Sequence, residues 1–206
     1  MDRKNEKSRG GERKIASKES RANRWLISRR SPYILDAIFR LGEHSERVVE
    51  PYIENGQVVA DLGCGWGHYS YLLANMVGPE GKVYAIDLDE ICIRSIQKKL
   101  VKKGLYNIEA RAVSASDLGF IHDHSVDLVF ANGLLCSMAS DRQLAVSEMK
   151  RILKPAGKAY LNVGSPSPLS YLSEAEWDEI LRDFNIVSSG PNNRLWALVS
   201  VKEESI

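Results

Sequence analysis

The sequence predicts an α/β protein with three layers, in which a mainly parallel sheet lies between helices and ends in an antiparallel hairpin. Two observations lead to this fold class. Short apolar, β-branched runs alternate strictly with longer segments of helical periodicity from residue 58 onward, which is the order of βαβ units. The last two β-like runs are separated only by a short turn, which predicts the hairpin.

The chain before the first predicted strand divides into two parts by composition. Residues 1–22 hold Lys, Arg, Glu, Ser and Gly with almost no apolar side chains, so we expect a basic, disordered tail. Residues 23–50 carry apolar side chains at three- and four-residue steps, which predicts one or two capping helices. Residues 51–206 then form the predicted α/β domain.

The elements of this domain follow from periodicity and turn residues. The predicted strands are, in order, Val58–Leu62, Val83–Leu88, Ile108–Val113, Val126–Ala131, Ala159–Val163, Ile186–Ser189 and Leu195–Val201. The predicted helices are Tyr69–Val77, Ile91–Lys103, Leu144–Leu153 and Ser173–Phe184. Residues 154–157 are predicted to form the turn before the fifth strand, because proline cannot continue a helix. Ser173 and Glu176 have the spacing of a capping box.

Composition excludes several classes of protein. No window of the 206 residues approaches the roughly 18 consecutive apolar residues of a membrane span, and the N-terminus lacks the apolar segment of a secretory signal. We therefore expect a cytoplasmic protein without a membrane span. Cys64, Cys92 and Cys136 lie far apart and include no CxxC pair, so neither a disulfide framework nor a metal site is predicted.

Charge is distributed unevenly along the chain. Residues 1–30 hold eleven Lys/Arg and four Asp/Glu, a local charge of +7 in a chain whose net charge is +1. Two interpretations stay open: an arm that binds nucleic acid or another anionic surface, and a polar leader without a binding role. Residues 1–22 lack interleaved aromatic side chains, which favours the polar leader.

A glycine-rich loop follows the first predicted strand. Asp61 comes near the end of that strand, and Gly63, Gly65 and Gly67 stand at alternate positions before the next helix. Glycine is needed where a backbone turns with unusual dihedral angles and lets a ligand lie against its N–H groups. A tight turn without a ligand would need the same residues, so the loop alone does not establish a binding site.

A second acidic strand end supports a ligand at this loop. Asp87 stands near the end of the next predicted strand, twenty residues after Gly67. The first two strands of a right-handed βαβ unit are neighbours, so we expect Asp87 beside the loop, where a carboxylate can accept both ribose hydroxyl groups. The G-x-G-x-x-G fingerprint of NAD-binding folds is not met, because His68 stands where the third glycine belongs. An adenosine-bearing ligand other than NAD is predicted.

Five segments resemble one known family in the correct order. Asp61–Gly67 resembles motif I of the class I S-adenosylmethionine-dependent methyltransferases, and Val83–Asp89 resembles their acidic second strand. The other three similar segments are residues 114–120, 125–130 and 151–158. The likeness covers roughly residues 50–201 and is strongest toward the menaquinone-biosynthesis and arsenite-methylating types. It implies a seven-stranded Rossmann-like sheet, with S-adenosylmethionine as cofactor and S-adenosylhomocysteine as product.

The resemblance also implies roles for the residues of the loop. The backbone of Gly63 and Gly65 would hold the methionine part of the cofactor, and Cys64 and Gly67 would complete the binding loop. Asp61 would reach the methionine amino group, directly or through water. The methionine side of the site is thus expected at the end of the first strand.

The adenosine part of the cofactor is expected at the ends of the second and third strands. By resemblance, Asp87 would bind the ribose, Leu88 would pack on the adenine, and Ser114 with Ala115 would meet the adenine edge. The family commonly has an acidic residue where this chain has Ser114. Asp117 is therefore a second candidate for that contact.

The methyl acceptor is less clearly marked. Asn132, just after the fourth strand, would by resemblance line the methionine side and face the acceptor. His68 and His44 are candidates for a general base, since imidazole titrates near neutral pH, although an ordinary surface or packing role is open for both. Four aromatic residues offer a wall for an apolar or cationic acceptor, or belong to the core: Tyr33, Trp66, Tyr69 and Trp196.

Methyl transfer to a small molecule is the predicted function. Residues 132–135 lack the Asn/Asp-Pro-Pro-aromatic motif of amino-methylating nucleic-acid and protein-glutamine enzymes, and no proline precedes Cys136 as in cytosine-C5 enzymes. Arsenite methylation is a minor hypothesis, because the cysteine pairs of those enzymes are missing. Two alternatives stay open: an RNA or protein methyltransferase that docks through the basic tail, and a non-catalytic S-adenosylmethionine-binding protein. The oligomeric state is not predicted.

Overall fold

The computed structural model describes residues 45–138, 140–163, 172–190 and 196–202. Within these ranges seven strands form one sheet. They are β1 (Val58–Leu62), β2 (Lys82–Asp87), β3 (Ile108–Ala112), β4 (Val126–Asn132), β5 (Leu153–Asn162), β6 (Phe184–Ser189) and β7 (Trp196–Val201). The α-helices of the same ranges are α1 (Ser45–Val49), α2 (His68–Val77), α3 (Glu90–Lys103), α4 (Arg142–Ile152) and α5 (Glu174–Arg182). Two short 3₁₀ helices span Glu50–Tyr52 and Leu135–Ser137.

The sheet has the strand order β3-β2-β1-β4-β5-β7-β6. Strands β1 to β5 pair in parallel, and the order reverses between β1 and β4, where both strands are almost completely buried. In open α/β sheets, ligands bind beyond the carboxyl ends of the strands at such a reversal point. The topology therefore places the ends of β1, β2 and β4 at a site suited to a ligand.

The C-terminal hairpin is confirmed, and the structure gives the position of its two strands in the sheet. Strand β7 pairs antiparallel with both β5 and β6. It therefore lies one position inside the edge of the sheet and runs opposite to both of its neighbours. Strand β6 forms the edge and runs parallel to β5. Periodicity along a strand reports which side chains are buried, not which neighbour the strand pairs with, so the sequence left this order open.

Each face of the sheet packs against its own pair of helices. Successive side chains of a strand point to opposite faces, so Phe130 lies in one apolar cluster and Val129 in the other. The Phe130 cluster includes Leu73 of α2 and Ile96 of α3. The Val129 cluster includes residues of α4 and α5, such as Met149. These clusters confirm the three-layer α/β fold.

The predicted turn at residues 154–157 lies inside β5 rather than between a helix and a strand. Strand β5 begins at Leu153, directly after α4, and its pairing with β4 jumps from Val126–Leu153 to Leu128–Lys158. The four residues in between leave the ladder. A Cβ on Gly157 would lie 2.9 Å from the Lys154 carbonyl oxygen, which shows how tightly the chain turns there. The predicted turn is confirmed, whereas the predicted start of the fifth strand at Ala159 was wrong, because β5 begins at Leu153.

The predicted capping box at the start of α5 is confirmed. Ser173 Oγ accepts a hydrogen bond from Glu176 N over 3.2 Å, and Glu176 Oε2 accepts one from Ser173 N over 2.8 Å. Each side chain thereby pairs a backbone N–H group that the helix cannot pair itself.

The N-terminal predictions fall mostly outside the described residues. Within the predicted capping segment of residues 23–50, the structure describes the short helix α1, and a 3₁₀ helix follows at Glu50–Tyr52. The tail of residues 1–22 and the domain boundaries at residues 22 and 50 stay predictions. Among the described residues, no helix combines the length and the hydropathy needed to cross a bilayer.

Candidate functional site

The glycine loop, residues 63–67, connects β1 to α2 in a conformation that favours glycine. Gly63, Gly65 and Gly67 have φ angles of 76°, 52° and 81°, in the left-handed region that other residues rarely adopt. The N–H groups of Gly63 and Cys64 both donate to the Ile86 carbonyl oxygen, over 2.8 and 3.0 Å. The loop is therefore fixed to the end of β2.

The three glycines have different surroundings. A Cβ on Gly63 would lie 3.1 Å from Leu134 Cδ1, and a Cβ on Gly67 would lie 3.0 Å from Ile96 Cδ1. A Cβ on Gly65 would meet no atom within 4 Å. Gly63 and Gly67 thus allow close packing within the protein, whereas the backbone at Gly65 borders open space that a ligand can fill.

Asp87 lies beside the loop, as the sequence predicted. Its Oδ2 accepts a hydrogen bond from Gly65 N and its Oδ1 accepts one from Asp89 N, each over 2.8 Å. These bonds hold the carboxylate in one orientation. A carboxylate oxygen has two lone pairs, so both oxygens can still accept a further hydrogen bond from two neighbouring hydroxyl groups.

Asp61 is buried next to the same loop. Only 2% of its surface is exposed, and Ser70 Oγ of α2 donates a hydrogen bond to its Oδ2 over 2.5 Å. The pKa of the Asp61 carboxyl is raised from 3.8 to about 7, chiefly by burial and to a smaller extent by the Asp87 charge, against the opposing effect of the Ser70 hydrogen bonds. A cationic group close to Asp61 would favour its ionised form.

A cavity of about 230 Å³ lies where these elements meet. It is lined by three segments of chain: the loop with the end of β2 (Gly63, Ile86, Asp87, Leu88), the residues after β3 (Val113, Ser114, Ala115) and the residues after β4 (Gly133, Leu134, Ser137, Met138). We call residues 133–138 the pocket wall. Leu88 is 71% exposed, which leaves its side chain available to a ligand in the cavity.

The cavity gathers many of the residues that the resemblance indicated. Gly63, Asp87, Leu88, Ser114 and Ala115 line it directly. The other predicted residues stand nearby or in the loop. Gly65 donates to Asp87, Asn132 immediately precedes the pocket wall, and Asp61, Cys64 and Gly67 stand at or within the loop without lining the cavity.

Asp117 is not placed to replace the acidic residue expected at position 114. It is exposed and does not line the cavity, and its backbone N–H donates to the Ser114 carbonyl oxygen over 3.0 Å. The Ser114 hydroxyl instead forms a hydrogen bond of 2.7 Å with the Ser116 hydroxyl. The adenine-edge contact therefore has Ser114 and Ala115 as its candidates.

The aromatic residues form a row that belongs largely to the core. The rings of Tyr69 and Phe130 are 4.9 Å apart, those of Phe130 and Tyr160 are 5.0 Å apart, and those of Tyr160 and Trp196 are 6.1 Å apart. Phe130 and Tyr160 are almost completely buried. The His68 ring, at the start of α2, lies 4.9 Å from that of Tyr69. His44 and Tyr33 lie outside the described residues.

The pocket wall is the part of the site that sequence reasoning missed as a binding element. Gly133 has a φ of 71°, and a Cβ there would meet no atom within 4 Å. A glycine directly after a buried parallel strand was the available signal, because ligands bind beyond the carboxyl ends of such strands. The residues were considered only for a motif that they lack.

Comparison with known proteins agrees with this arrangement. Residues 59–157 match the family model described as a methyltransferase domain. The demethylmenaquinone methyltransferase of Geobacillus stearothermophilus is 33% identical over 105 residues, which cover 51% of this chain and 44% of that protein. The arsenite methyltransferase of Halobacterium salinarum is 30% identical over 107 residues, which cover 52% of this chain and 27% of that protein. The chain thus matches less than half the length of these curated relatives.

A solved structure extends the likeness beyond residues 59–157. The crystal structure of a SAM-dependent methyltransferase from Aquifex aeolicus has a TM-score of 0.62 and 28% sequence identity, over 77% of this chain and 88% of that one. This similarity, the matched domain and the acidic strand ends beside the glycine loop agree on one assignment. Residues 59–157 therefore form a methyltransferase domain, and the chain is similar in sequence and fold to the S-adenosylmethionine-dependent methyltransferases.

Proposed function

We propose that this protein transfers the methyl group of S-adenosylmethionine to a small-molecule acceptor and releases S-adenosylhomocysteine. The observation that carries the proposal is the Asp87 carboxylate, which hydrogen bonds to Gly65 N beside an open cavity at the sheet's reversal point. That combination of a fixed carboxylate, an accessible glycine backbone and an apolar lining suits a ligand with a ribose and a base.

The residues present fit S-adenosylmethionine. Asp87 would bind the ribose hydroxyl groups, and the side chain of Leu88 would cover the adenine, whose edge would meet Ser114 and Ala115. Asp61 would stabilise the cationic amino group of the methionine part, which in turn would favour the ionised form of this carboxyl. When bound, the cofactor supplies an electrophilic methyl group on a sulfonium.

The remaining residues of the binding loop would act on the methionine part. Gly63 and Gly65 would hold it through their backbone, with Cys64 and Gly67 maintaining the shape of the loop. Asn132, at the end of β4, would stand between this part and the acceptor. The protein's contribution to an in-line methyl transfer is then chiefly to position both reactants and exclude water. A base is needed only when the acceptor must lose a proton, and His68 and His44 stay candidates for that role.

The class of the methyl acceptor is inferred from the names of the relatives and from the position of the cysteines relative to the cavity. The two curated relatives are named for demethylmenaquinone and arsenite, which are both small acceptors. Arsenic chemistry is disfavoured here, because none of Cys64, Cys92 and Cys136 is among the described residues that line the cavity. An organic acceptor is therefore proposed.

An acceptor screen tests the proposal. The full chain and a variant lacking residues 1–22 are incubated with S-adenosylmethionine and either a panel of phenols, hydroquinones, amines and carboxylic acids or total RNA, and S-adenosylhomocysteine is quantified. We expect turnover on at least one small acceptor at equal rates for both proteins. Turnover on RNA alone, lost at high salt or on truncation, would establish the nucleic-acid alternative. Cofactor binding without turnover on any acceptor would support a non-catalytic role.

A pair of glycine variants separates backbone strain from loss of binding. Gly65 and Gly56 both have positive φ angles, 52° and 86°, and a Cβ on either would meet no atom within 4 Å. Gly65→Ala and Gly56→Ala should each cost about 1 kcal/mol of folding stability, because alanine disfavours this conformation. Gly56 lies in the turn before β1, away from the cavity, so only Gly65→Ala should weaken S-adenosylhomocysteine binding, by about tenfold or more. Equal affinities measured by calorimetry would show that no ligand occupies the space at Gly65.

A further inference from the structure

We propose that Arg142 is a positioning residue of the cofactor site, whose guanidinium group bridges the Leu135 carbonyl oxygen to the Glu176 carboxylate and so holds the pocket wall in place. Arg142 does not line the cavity itself, so it acts through the wall. The inference rests on the proposed function, because it assigns Arg142 a part in binding S-adenosylmethionine.

The Arg142 side chain is buried, so its charge needs hydrogen-bond partners within the protein. Arg142 is the first residue of α4, and 8% of its surface is exposed. Its Nε donates to the Leu135 carbonyl oxygen over 2.9 Å, and its Nη1 donates to Glu176 Oε1 over 2.6 Å. A buried charge is costly unless it is paired in this way. The planar fork of arginine directs both bonds from one rigid group, which the flexible lysine ammonium does not reproduce.

The pocket wall needs an attachment of this kind. Within it, Ser137 N and Oγ both donate to the Leu134 carbonyl oxygen, over 2.9 and 2.7 Å. Such local bonds fix the shape of the 3₁₀ turn but not its position against the sheet. The N–H group of Gly133 donates to the Asn162 carbonyl oxygen of β5 over 2.9 Å and fixes where the wall begins. The Arg142 bridge fixes its middle.

The other end of the bridge is itself immobilised. Glu176 Oε2 accepts hydrogen bonds from Ser173 N and Ser173 Oγ, over 2.8 and 2.7 Å, in the capping box of α5. These bonds, together with the Arg142 guanidinium, lower the pKa of Glu176 to about 2, so this carboxylate is ionised near neutral pH. Arg142 therefore joins the wall to a fixed helix start on the Val129 side of the sheet.

A shift of the wall would reach the cofactor in two ways. Leu134, Ser137 and Met138 line the cavity, so their position decides how closely it encloses a ligand. Leu134 also packs against the glycine loop, where its Cδ1 would lie 3.1 Å from a Cβ on Gly63. Protein interiors are close-packed and transmit such shifts. Loss of the Arg142 bridge is therefore expected to loosen cofactor binding without removing any ligand contact.

The test compares Arg142→Met, Arg142→Lys and Arg94→Met with the unaltered full chain. Methionine keeps an unbranched apolar stem but makes no hydrogen bond, lysine keeps the charge, and Arg94 provides the control because it pairs with Glu90 on the exposed face of α3. Three quantities are measured: the Kd for S-adenosylhomocysteine by calorimetry, hydrogen exchange of the peptide containing residues 133–138 in the ligand-free protein, and the melting temperature.

For Arg142→Met we expect about a tenfold weaker Kd, the size of one lost hydrogen bond to a charged group, with faster exchange in the wall peptide. Arg142→Lys should recover part of both effects, and Arg94→Met neither. In turnover assays, the KM for S-adenosylmethionine should rise more than kcat falls.

Three outcomes would overturn the proposal, each in a recognisable way. A folded Arg142→Met variant with unchanged Kd and unchanged exchange of the wall would give Arg142 no positioning role. If that variant fails to fold, Glu176→Gln replaces it, since glutamine retains the shape of the capping box but not the charge; unchanged Kd and exchange in Glu176→Gln would be equally decisive. No binding of S-adenosylhomocysteine by the unaltered chain would instead remove the proposed function, and this inference with it.

Discussion

Replacing Asp87 by alanine is expected to weaken S-adenosylhomocysteine binding by about 3 kcal/mol, the upper end of the range for hydrogen bonds to a charged group. The upper end applies because the carboxylate has two tasks. It would bind the ribose, and it also accepts hydrogen bonds from Gly65 N and Asp89 N. Alanine would therefore remove the ribose contact and the hydrogen bond that orients Gly65 at the same time.

Two further variants make the Asp87 result specific, with affinity measured by calorimetry. Asp87→Asn keeps the shape of the side chain but leaves one acceptor atom, so an intermediate loss is expected. Asp89→Ala serves as the control: Asp89 caps α3 by accepting a hydrogen bond from Ile91 N, and its loss should cost about 1 kcal/mol of stability without affecting binding. Unchanged affinity in Asp87→Ala would mean that the ribose is held elsewhere.

Replacing Asp61 by asparagine is expected to change how stability depends on pH. The pKa of Asp61 is about 7 in the folded protein, against 3.8 for an unperturbed group, because burial disfavours the charged form. Between pH 3.8 and about 7, the folded state therefore binds more protons than the unfolded state. The neutral Asp61 carboxyl thus makes its full contribution to stability below pH 4, and this contribution is lost as the pH rises through 7. Asparagine removes this dependence. The stability of Asp61→Asn relative to the unaltered protein should increase by on the order of 3 kcal/mol from pH 4 to pH 8.

Urea denaturation at a series of pH values measures this difference, and Ser70→Ala tests its cause. The Ser70 hydroxyl donates to Asp61 Oδ2 and opposes the rise in pKa, so its removal should extend the fall in stability to higher pH. A constant difference between Asp61→Asn and the unaltered protein across this range would show that folding does not raise the pKa of Asp61.

The architecture around β1 and β2 was predictable because local pattern and chain handedness determine it. Alternating β and α segments predict a parallel sheet, and a right-handed βαβ unit makes consecutive strands neighbours. That reasoning placed Asp87 beside the glycine loop, and the hydrogen bond from Gly65 N to Asp87 confirms it. The capping box at Ser173 was predictable for the same reason, since its two residues interact within one helical turn.

The features of the fold and of the site that could not be predicted from the sequence depend on contacts between distant segments of the chain. The position of β7 between β5 and β6 follows from pairing across the sheet, which strand periodicity does not encode. The pocket wall carries no motif, because its role comes from standing at the end of β4. Arg142 precedes the predicted helix Leu144–Leu153 and belongs to no motif, and only the fold brings it to Leu135 and Glu176.

Parallel calorimetric titrations of the purified protein with S-adenosylmethionine, S-adenosylhomocysteine and NAD test whether the cavity binds this cofactor. We expect micromolar binding of the first two ligands, because Asp87 and the open backbone at Gly65 suit an adenosine that carries a methionine. We expect no binding of NAD, whose pyrophosphate needs the glycine that His68 replaces. Binding of NAD alone, or of none of the three, would show that the cavity is not an S-adenosylmethionine site.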